Sequence, residues 1–295
     1  MAAGRSLAVV ADVGGTKVLL RAVDERGTVR AEERHVTGPE ADGPWLDRLI
    51  GRFVDRHDEV GQVAVAVPGL VDADHRVVLS DVLPRLAGWS PVRADLVVND
   101  VRAALAAVRA EEPGVEDLAV VVVGTGIAAA VLTGGRVLTG VRGWAGELGS
   151  VPVDLTGGSD LRLDDVASGR AIVRALGVTG EEVARRLAGG DPATREVVSV
   201  AGSALGRAVG SLVTLLAPAR VVLAGGTTRF AGYAEAALAA AADVALPESW
   251  AGCRVGVDAD PGSLVVRGLT ALALAPRAGD EGEDGHRGQA RRGRA

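Results

Sequence analysis

The chain has 295 residues, 48% of them hydrophobic, which is enough for one large or two ordinary domains with real cores. A net charge of −6 argues against a nucleic-acid partner, because no basic excess is present to release counterions. One cysteine, Cys253, excludes a disulfide framework and a Cys-rich metal site; no charged N-terminal region precedes an apolar one and no apolar run reaches membrane length, so a cytoplasmic protein without a membrane partner is expected.

Strand-like segments at 6–12, 17–24 and 28–34 open the chain, with Asp24 to Gly27 as the turn between the second and third. Between the first two lies Asp12-Val13-Gly14-Gly15-Thr16-Lys17. Adjacent glycines uncover backbone N–H groups, Thr16 adds a hydroxyl, and Lys17, the one lysine in the chain, adds a cation. Such a concavity suits a phosphate. Asp12 beside it suits Mg²⁺, which binds oxygen ligands and keeps several waters. An ordinary Gly-Gly hairpin turn accounts for the same residues.

Residues 44–58 place Trp45, Leu46, Leu49, Ile50, Phe53 and Val54 at helical spacing, after Pro44 in a position that a first turn tolerates. Gln62 to Val67 is a strand stopped by Pro68-Gly69, and an irregular region runs on to Pro91. Leu96-Val97-Val98 leads into Asn99-Asp100 and an alanine-rich helix at about 101–111. Glu112-Pro113-Gly114 marks a domain boundary. A second cycle follows, with strands at 118–123, 127–133 and 136–139 around Gly124-Thr125-Gly126 and Gly134-Gly135. Strand, glycine turn, strand, turn, strand therefore occurs twice, which implies a duplicated α/β core with a cleft between its halves.

A long helix is predicted at 193–216, with Val197, Val198, Ala201, Leu205, Ala208, Leu212 and Leu215 on or near one face. Val221 to Ala224 is a strand opening onto Gly225-Gly226-Thr227-Thr228. Helices follow at 231–244 and 262–275, and the Gly- and charge-rich remainder reads as a disordered tail. Cys253 falls in an apolar alternation and reads as a buried strand residue. His35, His57, His75 and His286 lack ligand spacing and read as surface residues.

Three glycine turns, at 14–15, 124–126 and 225–226, each follow a buried strand. In α/β folds ligands bind at the carboxyl ends of strands, so three converging turns would make a nucleotide site. Gly124 to Ala129 also fits the dinucleotide fingerprint G-x-G-x-x-A. That fingerprint needs a helix after the glycines, whereas Ile127 to Thr133 is apolar or β-branched and meets Gly134-Gly135, as a hairpin would. Asn99-Asp100, at a strand end before a helix, reads either as an N-cap or as a general base beside the cleft. Glu147, between glycines, reads as a surface turn or as a ligand-binding carboxylate.

Asp12 to Lys17, Ala66 to Asp72, Asn99-Asp100, Gly124 to Ile127, Ala145 to Gly149, Ala167 to Ile172 and Ala224 to Gly226, in this order, resemble the ROK family of bacterial sugar kinases, within the sugar kinase/Hsc70/actin superfamily. The resemblance runs from about residue 6 to 275. It implies a two-domain, actin-like (ribonuclease H-like) α/β fold with a central cleft. The N-terminal domain would span 1–114, completed by the helix at 262–275, and the C-terminal domain 115–261, with 276–295 as tail.

The resemblance further implies ATP and Mg²⁺ as cofactors. Asp12, Gly14, Gly15, Thr16 and Lys17 would bind ATP phosphates together with Gly124, Thr125 and Gly126, while Gly225, Gly226 and Thr227 would lie by the adenosine. Asp12 would hold Mg²⁺ through water. Asp100 would be the general base, and Pro68, Gly69, Arg85, Asn99, Glu147, Ser150 and Asp164 would line the sugar side. The chain departs from the family pattern at several places. Ser150 replaces a histidine, the loop 156–162 lacks the family's cysteines so that no zinc is expected, and Asp164 replaces a glutamate; a family asparagine aligns loosely with Arg85. Ala128-Ala129-Ala130 stands where glycines are common.

The expected reaction is transfer of the γ-phosphate of ATP to the primary hydroxyl of a hexose or modified hexose, such as glucose or a kanosamine-like amino sugar. A C7-cyclitol of a secondary-metabolite (antibiotic biosynthesis) pathway is the alternative acceptor. A non-catalytic sugar-binding sensor is the rival from another class. The family's repressors carry a DNA-binding segment ahead of the first strand, for which no room is expected here. A homodimer is a further expectation.

Overall fold

The computed structural model describes residues 7–153 and 160–275. The expected tail, 276–295, and residues 156–159 of the cysteine-free loop lie outside the described residues.

The first half contains β1 (Leu7–Val13), β2 (Lys17–Val23), β3 (Val29–Val36), α1 (Gly43–Val54), β4 (Val60–Val67), the short pair β5 (Leu70–Val71) and β6 (Val77–Leu79), β7 (Leu96–Asn99) and α2 (Asp100–Glu111). The second contains β8 (Leu118–Val123), β9 (Ile127–Thr133), β10 (Arg136–Val137), α3 (Leu163–Ala167), α4 (Gly169–Leu176), α5 (Gly180–Ala188), α6 (Pro192–Leu216), β11 (Arg220–Ala224), α7 (Tyr233–Val244), α8 (Pro247–Ala251), β12 (Arg254–Val257) and α9 (Leu264–Leu274).

The two main sheets repeat one topology. Their orders are β3-β2-β1-β4-β7 and β10-β9-β8-β11-β12. In each, the first three strands in sequence form an antiparallel meander and the last two add in parallel. The central strands are apolar on both faces because helices cover both sides. On one face of the first sheet, Val9, Ala11, Val63 and Val65 pack on Leu46, Leu49, Ile50 and Phe53 of α1. On its other face, Ala8, Val10, Ala64 and Ala66 meet Ala103 of α2 and Val266 and Leu269 of α9. The opposite side of α2, through Val101, Leu105 and Val108, packs on Leu118, Val120 and Val222 of the second sheet. The far face of that sheet is covered by α3 to α7. Helix α2 is thus clamped between the sheets, with its N-terminus at the strand ends.

By length and composition α6 could cross a bilayer, contrary to the expectation that no apolar run is long enough. Its apolar face is instead packed on α7: an added Cβ at Gly206 would lie 2.2 Å from the Ala237 carbonyl, so glycine permits this close crossing. Leu215, expected on the buried face, is 81% exposed. Cys253 is half-buried and sits just before β12 rather than within it. His75, expected at the surface, is half-buried with its Nδ1 3.2 Å from the Val97 backbone.

Candidate active site

The β1–β2 turn is closed by its own backbone. Pairing continues to Val13 opposite Val18, the Gly14 N–H donates to the Lys17 carbonyl at 2.9 Å, and Thr37 Oγ1 donates to the Gly14 carbonyl at 2.6 Å. Thr16 and Lys17 stand exposed. Asp12, one residue before the end of β1, has its carboxyl pushed up to about 6 by burial, against the charges of Lys17 and Arg21.

At the end of β7, Asn99 and Asp100 divide two duties that the sequence leaves open. Asn99 is the cap: its Oδ1 accepts from the Val101 N–H at 2.9 Å and the Arg102 N–H at 3.3 Å. Its Nδ2 donates to the Gly69 carbonyl at 2.7 Å, so the same amide ties down the turn after β4. Only glycine fits at position 69, where φ is +118° and an added Cβ would lie 2.2 Å from the Leu79 carbonyl. Pro68 beside it is buried. Asp100 begins the helix, and its Oδ1 also accepts from the Val101 N–H, at 2.8 Å. Burial and the charge of Asp12 raise the Asp100 carboxyl to about 7, with Glu147 adding to the rise and the Val101 bond opposing it.

Among the described residues neither Asp12 nor Asp100 has an ion-pair partner. Two such carboxylates fit a cation, and no group of three or more His, Cys, Asp or Glu among the described residues could hold a metal by itself. That donor set fits Mg²⁺ bound through water and substrate phosphates.

The β8–β9 turn is a hairpin with no helix behind its glycines, so it does not build a dinucleotide fingerprint. It is braced from outside. The Gly124 carbonyl accepts from the Gly169 N–H at 2.9 Å and from Thr227 Oγ1 at 3.2 Å. Asp164 Oδ1 accepts from the Ile127 N–H at 2.7 Å. Ser168, fully buried, donates to the Asp164 carbonyl and caps α4 through the Ala171 N–H. The third turn joins the same cluster. Gly225 has φ +98°, and the Thr227 hydroxyl that reaches Gly124 is buried.

These turns converge. A Cβ built on Gly15 would lie 3.9 Å from Thr125 Oγ1, so the first and second turns face each other. Cβ atoms at Gly124 and Gly226 would meet nothing within 4 Å, which leaves open space for a ligand beside two of the turns.

Adjoining this cleft, a small pocket opens between the two halves. Gly69, Asn99 and Arg102 line it from the first half, and Ala129, Ala130 and Glu147 from the second. The alanines that stand where glycines were expected thus form part of its wall. Partial burial, then the charges of Asp81 and Asp164, raise the Glu147 carboxyl.

Of the departing positions Arg85 stands apart, whereas Ser150 follows Gly149, on which an added Cβ would lie 2.3 Å from Asp164 Oδ1. Arg85 is exposed and pairs with Glu40 at 2.5 Å. Ser150 is exposed in a single turn of 3-10 helix after Glu147. Asp164, expected to read a ring hydroxyl, spends Oδ1 on Ile127 and has Oδ2 3.9 Å from Arg170. The sequence reading missed Asp81, in the segment taken as irregular, whose charge acts on both Glu147 and Asp164. No motif marks it; only its position beside Val82, which packs against Gly15, gives it relevance.

The model of a family described as the ROK family matches residues 8–273. The N-acetyl-D-glucosamine kinase of Pasteurella multocida is 26% identical over 258 residues, covering 74% of this chain and 84% of its own. Among solved structures, a ROK family glucokinase from Streptomyces griseus in complex with glucose and AMPPNP superposes with a TM-score of 0.78 at 21% identity, covering 91% of this chain and 99% of that one. A ROK family transcriptional regulator, a homologue of the E. coli MLC protein, superposes with a TM-score of 0.75 at 19% identity, covering 92% and 79%.

Proposed function

The chain belongs to the ROK family and has its two-domain, actin-like α/β fold, and we propose that it is an ATP-dependent carbohydrate kinase acting on the primary hydroxyl of a hexose or an amino-substituted hexose. The observation that carries this reading is the placement of Asp100. Its carboxyl lies among the strand ends with a pKa raised to about 7 and without a paired cation, while two glycine turns face each other nearby. A base poised near neutrality is what proton removal from a hydroxyl asks for.

Mg-ATP, when bound, supplies the transferable phosphoryl group and neutralises part of its charge. The chain supplies positioning, which is most of what phosphoryl transfer requires of a protein. The Gly14 and Gly124 N–H groups are spent within their own turns, so the N–H groups of Gly15 and of Thr125-Gly126 cradle phosphates, with Thr16 and Lys17 beside the first. Asp12 would hold Mg²⁺ through water. Gly225, Gly226 and Thr227 shape the nucleoside side. Asp100 accepts the hydroxyl proton on its carboxylate. Glu147 accepts hydrogen bonds from ring hydroxyls, and Asn99 fixes both Gly69 and the start of α2. Asp164 acts on the sugar side only indirectly, by holding the β8–β9 turn.

The test is ADP release with a panel of hexoses, amino sugars and cyclitols, together with identification of the phosphorylated position. Asp100→Asn is expected to lose on the order of 10²–10⁴ in kcat while still binding ATP. Near-normal turnover in that variant removes the role of Asp100. Sugar binding without ADP formation from any acceptor replaces the kinase reading with that of a non-catalytic sensor.

A further inference from the structure

Arg267, near the start of α9, is half-buried between carboxylates from the two halves. Its Nη2 donates at 2.7 Å to Asp258 Oδ2, just past the end of β12, and its Nε lies 3.2 Å from Glu111 Oε1 on α2. Among the described residues that Nε finds no acceptor in hydrogen-bond geometry, so the bond to Asp258 carries the pairing. The Asp258 side chain is only 9% exposed, and a carboxylate so nearly out of water depends on its cation.

Asp258 in turn fixes a loop. Its Oδ1 accepts from the Asp260 N–H at 2.8 Å, and its own N–H donates to the Leu223 carbonyl of β11 at 2.9 Å. Asp260 pairs with Arg229 at 2.9 Å, and Pro261 accepts from the Gly225 N–H at 3.1 Å. The loop 258–261 therefore grips both ends of the turn 225–229, the nucleoside side of the proposed site. That turn has little slack, because a Cβ added on Gly225 would collide with the Val123 carbonyl beside the second glycine turn.

Helix α9 spans the two halves. Leu264 packs with Leu118 and Val222 of the second sheet, whereas Val266 and Leu269 pack with Val10 and Ala64 of the first. An added Cβ at Gly268 would collide with the Ala103 carbonyl, so α9 is pressed onto α2, the helix that begins at Asp100. Arg267 thus joins the loop behind the nucleoside turn to the pair of helices that carries Asp100.

We propose that Arg267 is a positioning residue for the nucleotide: through Asp258 it holds the loop 258–261, and with it the turn 225–229, in place relative to Asp100. The proposal rests on the kinase reading for what that turn binds.

The experiment measures the Kd of Mg-AMPPNP by calorimetry, with the melting temperature, for the wild type, Arg267→Met, Arg267→Lys, the double variant Arg267→Met/Asp258→Asn, and Glu112→Gln. Glu112 pairs with Arg220 and Arg254 at the opposite ends of β11 and β12, so Glu112→Gln breaks ion pairs of the same kind away from the loop. Arg267→Met is expected to raise Kd about 10- to 100-fold, the scale on which loosening a remote support misplaces a bound group. Arg267→Lys keeps a point charge for Asp258 and should stay within about threefold of the wild type. If Arg267→Met does not fold because Asp258 is stranded, the double variant removes that charge and should show the same rise. Glu112→Gln should lower the melting temperature and leave Kd unchanged. A wild-type Kd in the double variant overturns the proposal. So does an equal rise in Glu112→Gln, because general loosening would then suffice. Both results leave the kinase reading intact, whereas a wild type that binds no AMPPNP removes both.

Discussion

The two glycine turns that face each other across the cleft, 14–15 and 124–126, descend from the same strand pattern but are held in opposite ways. The first is closed within its own meander, by the Gly14–Lys17 backbone pair and by Thr37 at the end of β3. The second is held by three elements far along the chain: Asp164 at the start of α3, Gly169 at the start of α4, and Thr227 after β11. A repeated topology therefore need not repeat its energetics. The self-closed turn can present Thr16 and Lys17 to solvent, whereas the braced turn depends on distant residues keeping their places.

The sharpest way to break this comparison is Asp164→Ala. It strips the Ile127 N–H of its partner and is expected to cost about 1–3 kcal/mol, read as a fall of several degrees in melting temperature, together with a higher KM for ATP. No change in either would show that the second turn holds itself.

Next in size is Asp100, which sits at the end of the clamped helix. Its folded pKa of about 7 lies above the unfolded value near 3.9, so the folded state binds the extra proton between them and stability falls as pH rises through that window. Without nucleotide, Asp100→Asn should be more stable than the wild type at pH 8, by on the order of 2 kcal/mol, and the gap should close towards pH 4. Denaturant titrations at both pH values check this; an equal gap at both would show that ionisation is not its source.

Thr37→Val, the counterpart of Asp164→Ala on the first turn, removes one neutral bond and should cost only about 0.5–1.5 kcal/mol. A loss as large as that of Asp164→Ala would erase the contrast. Smallest in stability is Gly124→Ala. Its Cβ would meet nothing within 4 Å, so melting should be unchanged while the KM for ATP rises on the order of tenfold. Unchanged KM would mean that no ligand approaches there.

Apolar patterning makes most of the long elements legible. The strands at 118–123 and 127–133 and the helix over 192–216 form close to where periodicity puts them. The hairpin over Ile127 to Thr133 was readable because β-branched and apolar residues ran straight into Gly134-Gly135. The short helices α3, α4 and α5 escaped, since runs of 5, 8 and 9 residues are too brief to show a helical period and are fixed by what they pack on, through Leu163, Ile172 and Val183. The candidate site was legible as residue types and less so as roles. Asn99 and Asp100 stand together in the chain, but only the fold assigns one to the cap and leaves the other half-buried beside the charge of Asp12. Asp164 and Ile127 are 37 residues apart, so nothing local marks the bond between them. Arg85 finds Glu40, and Asp81 acts on Glu147, for the same reason.

The chain alone determined the two strand-and-turn cycles, the positions of the glycine turns and the carboxylates at strand ends, because periodicity and glycine chemistry act over a few residues. Tertiary structure decided which turn is braced and which carboxyls are raised. Burial and charge pairing depend on residues that only the stacking of two sheets about α2 brings into contact.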